Sequence, residues 1–378
     1  MMADWTKPFT ATYTWWRVPR ASYGVYDPDD LTTWFRYYYA MGEESEQVDG
    51  IYKATLQTNA NTETFETGNA LCVGTLDLGT DLLRCRMRAE FEDGTAEDVV
   101  LGTYNVSVPS YGLHGAYREC TAVLDGRLIE LQQDMFETPY IAQSGMNGSV
   151  YARTIVRLAN MTFSAPAEVG ETAIGTTMSF GLGVPTDEGG TKLSAYNAIM
   201  TQTQGARAAS TDEYGRVQVR KPIDYDSAPV WTFDESNATF LGEAEDEFDT
   251  SKICNVVYAV FETSEGTVVG SAVDDNAKSP WSIANFGRRK VAAYTYQMNA
   301  TQAQADAKAK ELLDGTRSIV HRVTIKHVWC GARTGDVVRL DWPSMRIRGN
   351  FAIRTQTIEV GSAGCLTTSE LRRFERVY

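Results

Sequence analysis

The alternation of apolar and polar side chains marks one β-hairpin most clearly. Within residues 81–91, every second residue from 83 to 89 is apolar and the residues between them are arginines, the period of a half-buried strand. Residues 92–95 include a glycine that supplies a positive φ for a turn, and residues 98–108 return as the second arm. Residues 10–17 are rich in Thr, Tyr and Trp, which suit a half-buried strand. Residues 1–120 are therefore predicted to be mainly strands.

The spacing of apolar residues changes in the middle of the chain. Four apolar residues between positions 124 and 135 recur at spacings of four, three and four, which places them on one face of a helix. Residues 149–161 predict a second helix with Ser149 as its N-cap, and residues 193–200 predict a third. The segment 124–215 therefore has α+β character.

Strand patterns return after residue 222, with one well-marked helix among them. Thr301 and Gln304 have the spacing of a capping box, and Gly315 is a stop signal. These signals predict a helix near residues 301–314.

The order of these patterns predicts a β-rich α+β multidomain protein. The chain has 378 residues, too many for one ordinary domain. We expect two β-barrel domains that flank an α+β middle domain, with boundaries at 1–123, 124–221 and 222–378.

Charge and composition narrow the possible functions. The formal net charge is −14, whereas a protein that grips nucleic acid normally presents a basic face. No apolar run reaches the length of about 18 residues that a membrane span needs, and the N-terminus lacks the apolar core of a signal peptide. Synthesis in a cytoplasm is therefore expected, with the six scattered cysteines reduced and mostly buried.

Candidate catalytic and metal-binding residues are few. His321 and His327 fall on the same side of one predicted strand but lack a third metal ligand. Packed or solvated histidines are therefore the favoured interpretation. His114 lies in a turn-like stretch. The glycine-containing segments at 145–149 and 331–335 lack the nucleophile-elbow order and the phosphate-loop lysine respectively. We therefore predict no catalytic residues, no cofactor and no metal site.

Two clusters are candidate surfaces. An aromatic run is a candidate interface because so many consecutive rings do not all point inward from one element; its candidate residues are Trp34, Phe35, Tyr37, Tyr38 and Tyr39. An acidic run is interpreted as a solvated loop or as part of a channel wall that repels phosphate; its residues are Glu243, Glu245, Asp246, Glu247 and Asp249.

Several short motifs, taken in order, resemble the tail hub proteins of tailed bacteriophages, the group that includes baseplate hubs and the N-terminal region of tail-associated lysins. The first is Leu-Gly-Thr-Tyr-Asn-Val at residues 101–106, followed by a strand that runs into a helix through residues 120–128. The second is Tyr-Gly-Arg-Val at residues 214–217. The third is a series over about 100 residues, at 254–257, 279–280, 287–289, 303–313, 334–340 and 349–353.

The resemblance implies a homotrimer in which each chain supplies two tube-type β-barrel domains around the middle domain. Three chains then form a ring of six similar barrels on a sixfold tail tube. Such a hub caps or extends the tube, connects it to the tip and lines the path of DNA, which passes without specific binding. The implied partners are a distal tail protein or tail tube ring, together with tail fibre or tip proteins, and the implied location is the virion tail tip, after synthesis in the host cytoplasm.

Two other functions stay open at this point. A receptor- or carbohydrate-binding tail module is the alternative if the aromatic run is exposed in a groove. A cell-wall-degrading enzyme of the tail tip is the third, and it would require one of the three histidines. The sequence ends directly after the last predicted strand without a peptidase or glycosidase segment, so we predict that the protein is not an enzyme.

Overall fold

The fold is given by a computed structural model. The described residues are 4–20, 44–60, 64–114, 117–164, 172–181, 190–204, 209–219, 223–235, 240–249, 253–263, 266–279, 281–296, 300–316, 318–361 and 364–376. Strand makes up 51% of the structure, which confirms the predicted β-rich class.

The strands of the described residues are numbered here in chain order. They are β1 (Phe9–Val18), β2 (Glu46–Gln47), β3 (Ile51–Asn59), β4 (Glu66–Val73), β5 (Leu82–Phe91), β6 (Ala96–His114), β7 (Tyr117–Gly126), β8 (Tyr140–Ala142), β9 (Met178–Phe180), β10 (Ala209–Thr211), β11 (Val217–Val219), β12 (Trp231–Asp234), β13 (Phe240–Asp249), β14 (Val256–Thr263), β15 (Gly266–Val273), β16 (Val291–Tyr296), β17 (Ser318–Val328), β18 (Val337–Trp342), β19 (Ile347–Val360) and β20 (Leu366–Arg376).

The helices of the described residues are short and lie mainly in the middle of the chain and before β17. They are α1 (Leu128–Gln132), α2 (Gly148–Leu158), α3 (Lys192–Gln204), α4 (Ile283–Phe286) and α5 (Gln302–Thr316), with one 3₁₀ turn at Pro343–Met345.

One large sheet carries most of the strands. Its order is β13-β17-β20-β19-β3-β4-β7-β6-β5-β1-β2, and β18 joins β12 to β19 beside this path. The predicted hairpin of residues 81–108 is confirmed as β5 and β6, although β6 continues to His114. The apolar residues of β5 point into a core, where Leu83, Cys85 and Met87 are fully buried.

The α+β segment has a core of its own, in which α1, α2 and α3 pack with the small hairpin β10–β11. Leu131, Ile155 and Tyr196 are fully buried at its centre. Two predicted details are wrong. The first helix is shorter because β7 continues to Gly126, and the side chain of Asn147, rather than Ser149, caps α2 by accepting a hydrogen bond from the backbone N–H of Ser149.

Helix α5 lies on a three-stranded sheet of order β15-β14-β16. The capping box is present, since the backbone N–H of Thr301 donates to Gln304 Oε1 at 2.9 Å and that of Gln304 donates to Thr301 Oγ1 at 3.3 Å. Ala305 and Ala309 of α5 are fully buried against Phe261 and Ala259 of the sheet. The predicted helix near 301–314 therefore has its observed counterpart in α5.

The chain folds into two compact units. One contains Met1–Glu243 and Lys326–Ser369, and the other contains Ala244–Ile325 and Glu370–Tyr378. Strands β13, β17 and β20 contribute residues to both units. The division into segments 1–123, 124–221 and 222–378 stays a prediction.

One cysteine pair departs from the expectation of reduced thiols. Cys72 of β4 lies opposite Cys120 of β7 with their Cα atoms 5.3 Å apart, and the structure pairs their sulfur atoms as a disulfide. This separation is within the range that a disulfide spans. Of the other four cysteines, Cys85, Cys330 and Cys365 are buried and Cys254 is half-buried.

Candidate interaction surfaces

The predicted aromatic interface lies outside the described residues. Trp34, Phe35, Tyr37, Tyr38 and Tyr39 all fall between residues 21 and 43. Their role as an interface therefore stays a prediction.

The acidic run lies in a strand, so its interpretation as a loop is wrong. Residues 243–249 belong to β13, which lies next to β17 in the large sheet. Of the run's members, Glu245, Asp246 and Glu247 have described side chains. Its position on a channel wall stays a prediction.

Strand β17 supplies partners for part of this acidic run. Asp246 Oδ1 lies 2.5 Å from His321 Nε2, and Glu247 Oε2 accepts a hydrogen bond from Arg322 Nη1 at 2.8 Å. Arg322 also lies 3.4 Å from Glu370 on β20. Because these neighbours offset part of the negative charge of Asp246 and Glu247, the sequence run overstates the local negative field.

The second histidine of β17 is packed in a core. His327 Nδ1 lies 2.8 Å from the backbone oxygen of Val328, and Nε2 lies 2.9 Å from Ser369 Oγ. Its ring lies 4.8 Å from the ring of Phe233, centroid to centroid. Burial lowers the pKa of His327 to about 4, because the interior disfavours the charged imidazolium.

The described residues that were candidates for metal binding or catalysis lie in structural positions. Among the described residues there is no group of three His, Cys, Asp or Glu side chains that could hold a metal ion. The segment 145–149 is the capped start of α2, and residues 331–336 join β17 to β18. The side chain of His114 lies outside the described residues.

Exposed apolar side chains lie on both faces at the end of the β6–β7 hairpin. We call Tyr111, Leu113 and Tyr117, with Tyr52 of β3 and Val73 of β4, the hairpin surface; all five are exposed, and Leu113 is 80% exposed. The register pairs Leu113 with Arg118 and His114 with Tyr117, so Tyr117 lies on the opposite face from Tyr111 and Leu113. The Arg118 guanidinium lies 3.9 Å from the centre of the Tyr111 ring. Exposed apolar groups gathered in this way mark contact surfaces more often than scattered ones do.

The sequence reading missed the hairpin surface because it treated residues 111–115 as a turn. The signal was present as the alternation of Tyr111, Gly112 and Leu113, which continues the strand period past residue 108. Pairing continues to His114 opposite Tyr117.

A second apolar surface lies on the sheet β15-β14-β16, on the face away from α5. The register places Val256 between Val273 and Val291, and Val260 opposite Val269. Val269, Val273 and Val291 are each about half exposed, at 44%, 46% and 50%. Because opposite residues share a face, these side chains form one valine-rich face.

The described residues contain no helix with the length and apolar character needed to cross a bilayer.

Comparison with solved structures identifies the fold. The tail protein from Neisseria meningitidis MC58 superposes with a TM-score of 0.61 and 14% identity, over 87% of this chain and 94% of that one. The 43 kDa tail protein of prophage MuSo2 from Shewanella oneidensis gives 0.62 and 8% identity, over 97% of this chain and 100% of that one. A chain of the half-lidded Francisella PdpA–VgrG complex gives 0.54 and 9% identity, over 97% of this chain and 58% of that one.

The chain therefore has the fold of phage tail proteins, and the resemblance to that group is confirmed at the level of fold. No protein-family model matches the sequence. No curated protein matches it either.

Proposed function

We propose that this protein is a structural component of a phage tail, the hub of the tail tip or baseplate. The observation that carries the proposal is the fold likeness to two phage or prophage tail proteins over at least 87% of this chain and at least 94% of theirs. Fold alone does not assign a function. The exposed apolar side chains on strands of the hairpin surface and the valine-rich face support a role in assembly.

In this proposal the protein is a homotrimer, and each chain contributes two tube-type barrels around a middle domain. The hub caps or extends the tail tube, contacts a distal tail protein or tube ring on one side, and contacts fibre or tip proteins on the other. The hairpin surface and the valine-rich face are candidates for these contacts, because an assembled neighbour would remove their apolar area from water at roughly 25 cal/mol per Å².

The proposed hub also lines the exit channel for DNA. A chain with a net charge of −14 would present a wall that repels phosphate and lets the duplex slide. Glu245→Lys changes an exposed carboxylate of the acidic run, and we expect it to slow DNA ejection. Glu359→Lys, on an exposed position of β19, is the matched control for a charge reversal. Equal ejection rates in the two variants and the wild type would argue against a lumenal acidic run.

We further propose that the protein acts in the virion, has no enzymatic activity and is made in the host cytoplasm. Antibodies against this chain should label one end of the tail in electron micrographs of intact particles. Labelling along the whole tail, or absence of the protein from purified particles, would overturn the hub assignment.

A receptor- or carbohydrate-binding tail module is the second candidate. The observation that favours it is the exposure of Tyr111 and Tyr117 on the β6–β7 hairpin and of Tyr52 on β3, since exposed aromatic rings are suited to stacking on sugars and to anchoring proteins. Replacing Tyr111 and Tyr117 by serine separates the two functions. Loss of binding to host cells with tail assembly intact would favour the module, whereas loss of assembly would favour the hub.

A further inference from the structure

A buried carboxyl group lies where the large sheet meets the β10–β11 hairpin. The strand register pairs Tyr104 with Gly126 and Thr67 with Asp125, so Glu66, Gly126 and Tyr104 form a row across three strands. Residues in such a row share one face of the sheet. Since Gly126 has no side chain, Glu66 occupies the space above it, and a Cβ atom on residue 126 would lie 2.5 Å from Glu66 Cβ.

This carboxyl group is almost completely enclosed. Glu66 is 3% exposed and Tyr104 is fully buried. Within the described part of the chain, Glu66 Oε2 and the Tyr104 hydroxyl have no hydrogen-bond partner. A buried carboxylate with an oxygen that lacks a hydrogen-bond partner is costly, whereas a neutral carboxylic acid is far less so.

The β10–β11 hairpin lies against Glu66 through Thr211. Its strands are buried in the core of the α+β segment through Ala209 and Val217, and its turn is joined to the large sheet by a few polar contacts. Thr103 Oγ1 donates to the backbone oxygen of Glu213 at 2.9 Å, and Arg127 Nη1 donates to that of Gly215 at 3.4 Å. Arg333 lies 3.6 Å from the Glu213 carboxylate. These contacts hold the turn of the hairpin at the large sheet.

The charged and titratable groups around Glu66 have opposite effects on its negative charge. Asp212 and Glu213 on the hairpin disfavour its negative charge, while Arg333, on the segment between β17 and β18, favours it, and Tyr104 faces it from β6. Burial is the largest influence and raises the pKa of Glu66 to about 8, with the Thr211 hydroxyl opposing the rise.

We propose that Glu66 forms a pH-sensitive contact between the large sheet and the β10–β11 hairpin, which holds while the carboxyl is neutral and loosens when it ionises. The negative charge would appear beneath two further carboxylates, in a space with no solvent to stabilise it. This device is independent of the proposed role in the tail.

The direction of the effect follows from proton binding. The folded hairpin keeps the proton on Glu66 up to about pH 8, whereas a detached and solvated Glu66 loses it near the ordinary value of about 4.3. The attached state therefore binds more protons between these two pH values. Attachment is strongest at the acidic end of this window and weakens by up to about tenfold per pH unit until the folded pKa is passed.

Hydrogen exchange of the hairpin amides tests the proposal. The rates of residues 209–219 are measured from pH 6 to pH 9 and corrected for the intrinsic pH dependence of exchange. We expect protection in the wild type to fall by more than about tenfold between pH 6 and pH 8. In Glu66→Gln, which stays neutral, protection should be nearly constant, and the control Glu359→Gln should behave like the wild type.

A wild-type hairpin whose protection is independent of pH, or a Glu66→Gln protein that loses protection as steeply as the wild type, would overturn the proposal. Glu66→Met is the second variant should the amide not be accommodated, because it is neutral and of similar size. It should also remove the pH dependence, and retention of the wild-type slope in Glu66→Met would count equally against the role of Glu66.

Discussion

Replacing Gly270 by alanine tests how helix α5 is held on its sheet. Gly270 lies in β15, and its α-carbon faces the backbone of α5. A Cβ atom at this position would lie 2.1 Å from the carbonyl carbon and oxygen of Ala305 and 2.5 Å from the backbone nitrogen of Asp306. Because these are backbone atoms of a helix, no side-chain rotation relieves the contact.

The size of the effect follows from the displacement that the new methyl group requires. Ordinary contact begins at 3.4 Å, so the helix must move by about 1.3 Å at this point. This movement opens a gap between α5 and β15 beside the new methyl group. A gap of 0.5–1 Å already removes a quarter to a half of the dispersion energy of the atoms that face it. Ala305, Ala309 and Leu313 are buried along the contact, and overpacking alone costs about 1–3 kcal/mol. We therefore expect Gly270→Ala to lower the free energy of unfolding by about 3 kcal/mol.

Urea unfolding followed by circular dichroism measures this loss, and hydrogen exchange of α5 shows whether it is local. Gly175→Ala is the matched control, since the nearest atom to its new methyl group, Gln202 Oε1, is 4.0 Å away. We expect the control to lie within about 0.5 kcal/mol of the wild type. A Gly270→Ala protein that is equally stable, with α5 still protected, would refute the proposed close packing of α5 on β15.

Three further predictions concern other elements. Burial lowers the pKa of His327 to about 4, so the folded state binds fewer protons than the unfolded state between about pH 4 and the ordinary pKa of about 6.5. Urea unfolding should therefore show that the free energy of unfolding falls as the pH drops through this window. His327→Gln should remove that part of the pH dependence. Thr301→Ala should destabilise α5 by about 1 kcal/mol, which thermal unfolding measures, whereas an unchanged melting temperature would argue against the Thr301–Gln304 capping box. The double substitution of Leu113 and Tyr117 by serine should leave the melting temperature within about 2 °C of the wild type, since both are exposed, but should weaken assembly in size-exclusion chromatography; unchanged assembly would remove the hairpin surface from the proposed contacts.

The parts of the fold that the sequence predicted are those with strong local signals. The alternation in β5 and the capping box of α5 are both local patterns, and both are present in the structure. The Tyr111–His114 extension of β6 was missed because glycines on both sides of Leu113 resemble a turn, although pairing with β7 keeps the strand extended.

The acidic strand β13 was not predictable from local propensity. Carboxylates are depleted in strands, and their stabilising partners His321 and Arg322 lie 75 residues further along the chain. The burial of Glu66 was also not predictable from the local sequence, because a glutamate at the start of a strand gives no sign that a distant hairpin will enclose it. Such long-range burial is decided by tertiary structure, which local patterns do not encode.

The central claim, that this chain forms a hub ring, is tested most directly by the mass and symmetry of the purified protein. Light scattering after size exclusion gives the mass, and electron-microscope class averages of the same sample, alone and with tail-tube protein, give the symmetry. We expect a particle of three times the 41.9 kDa chain mass, with threefold symmetry and a central channel. A particle that stays monomeric in the presence of tube protein would contradict it.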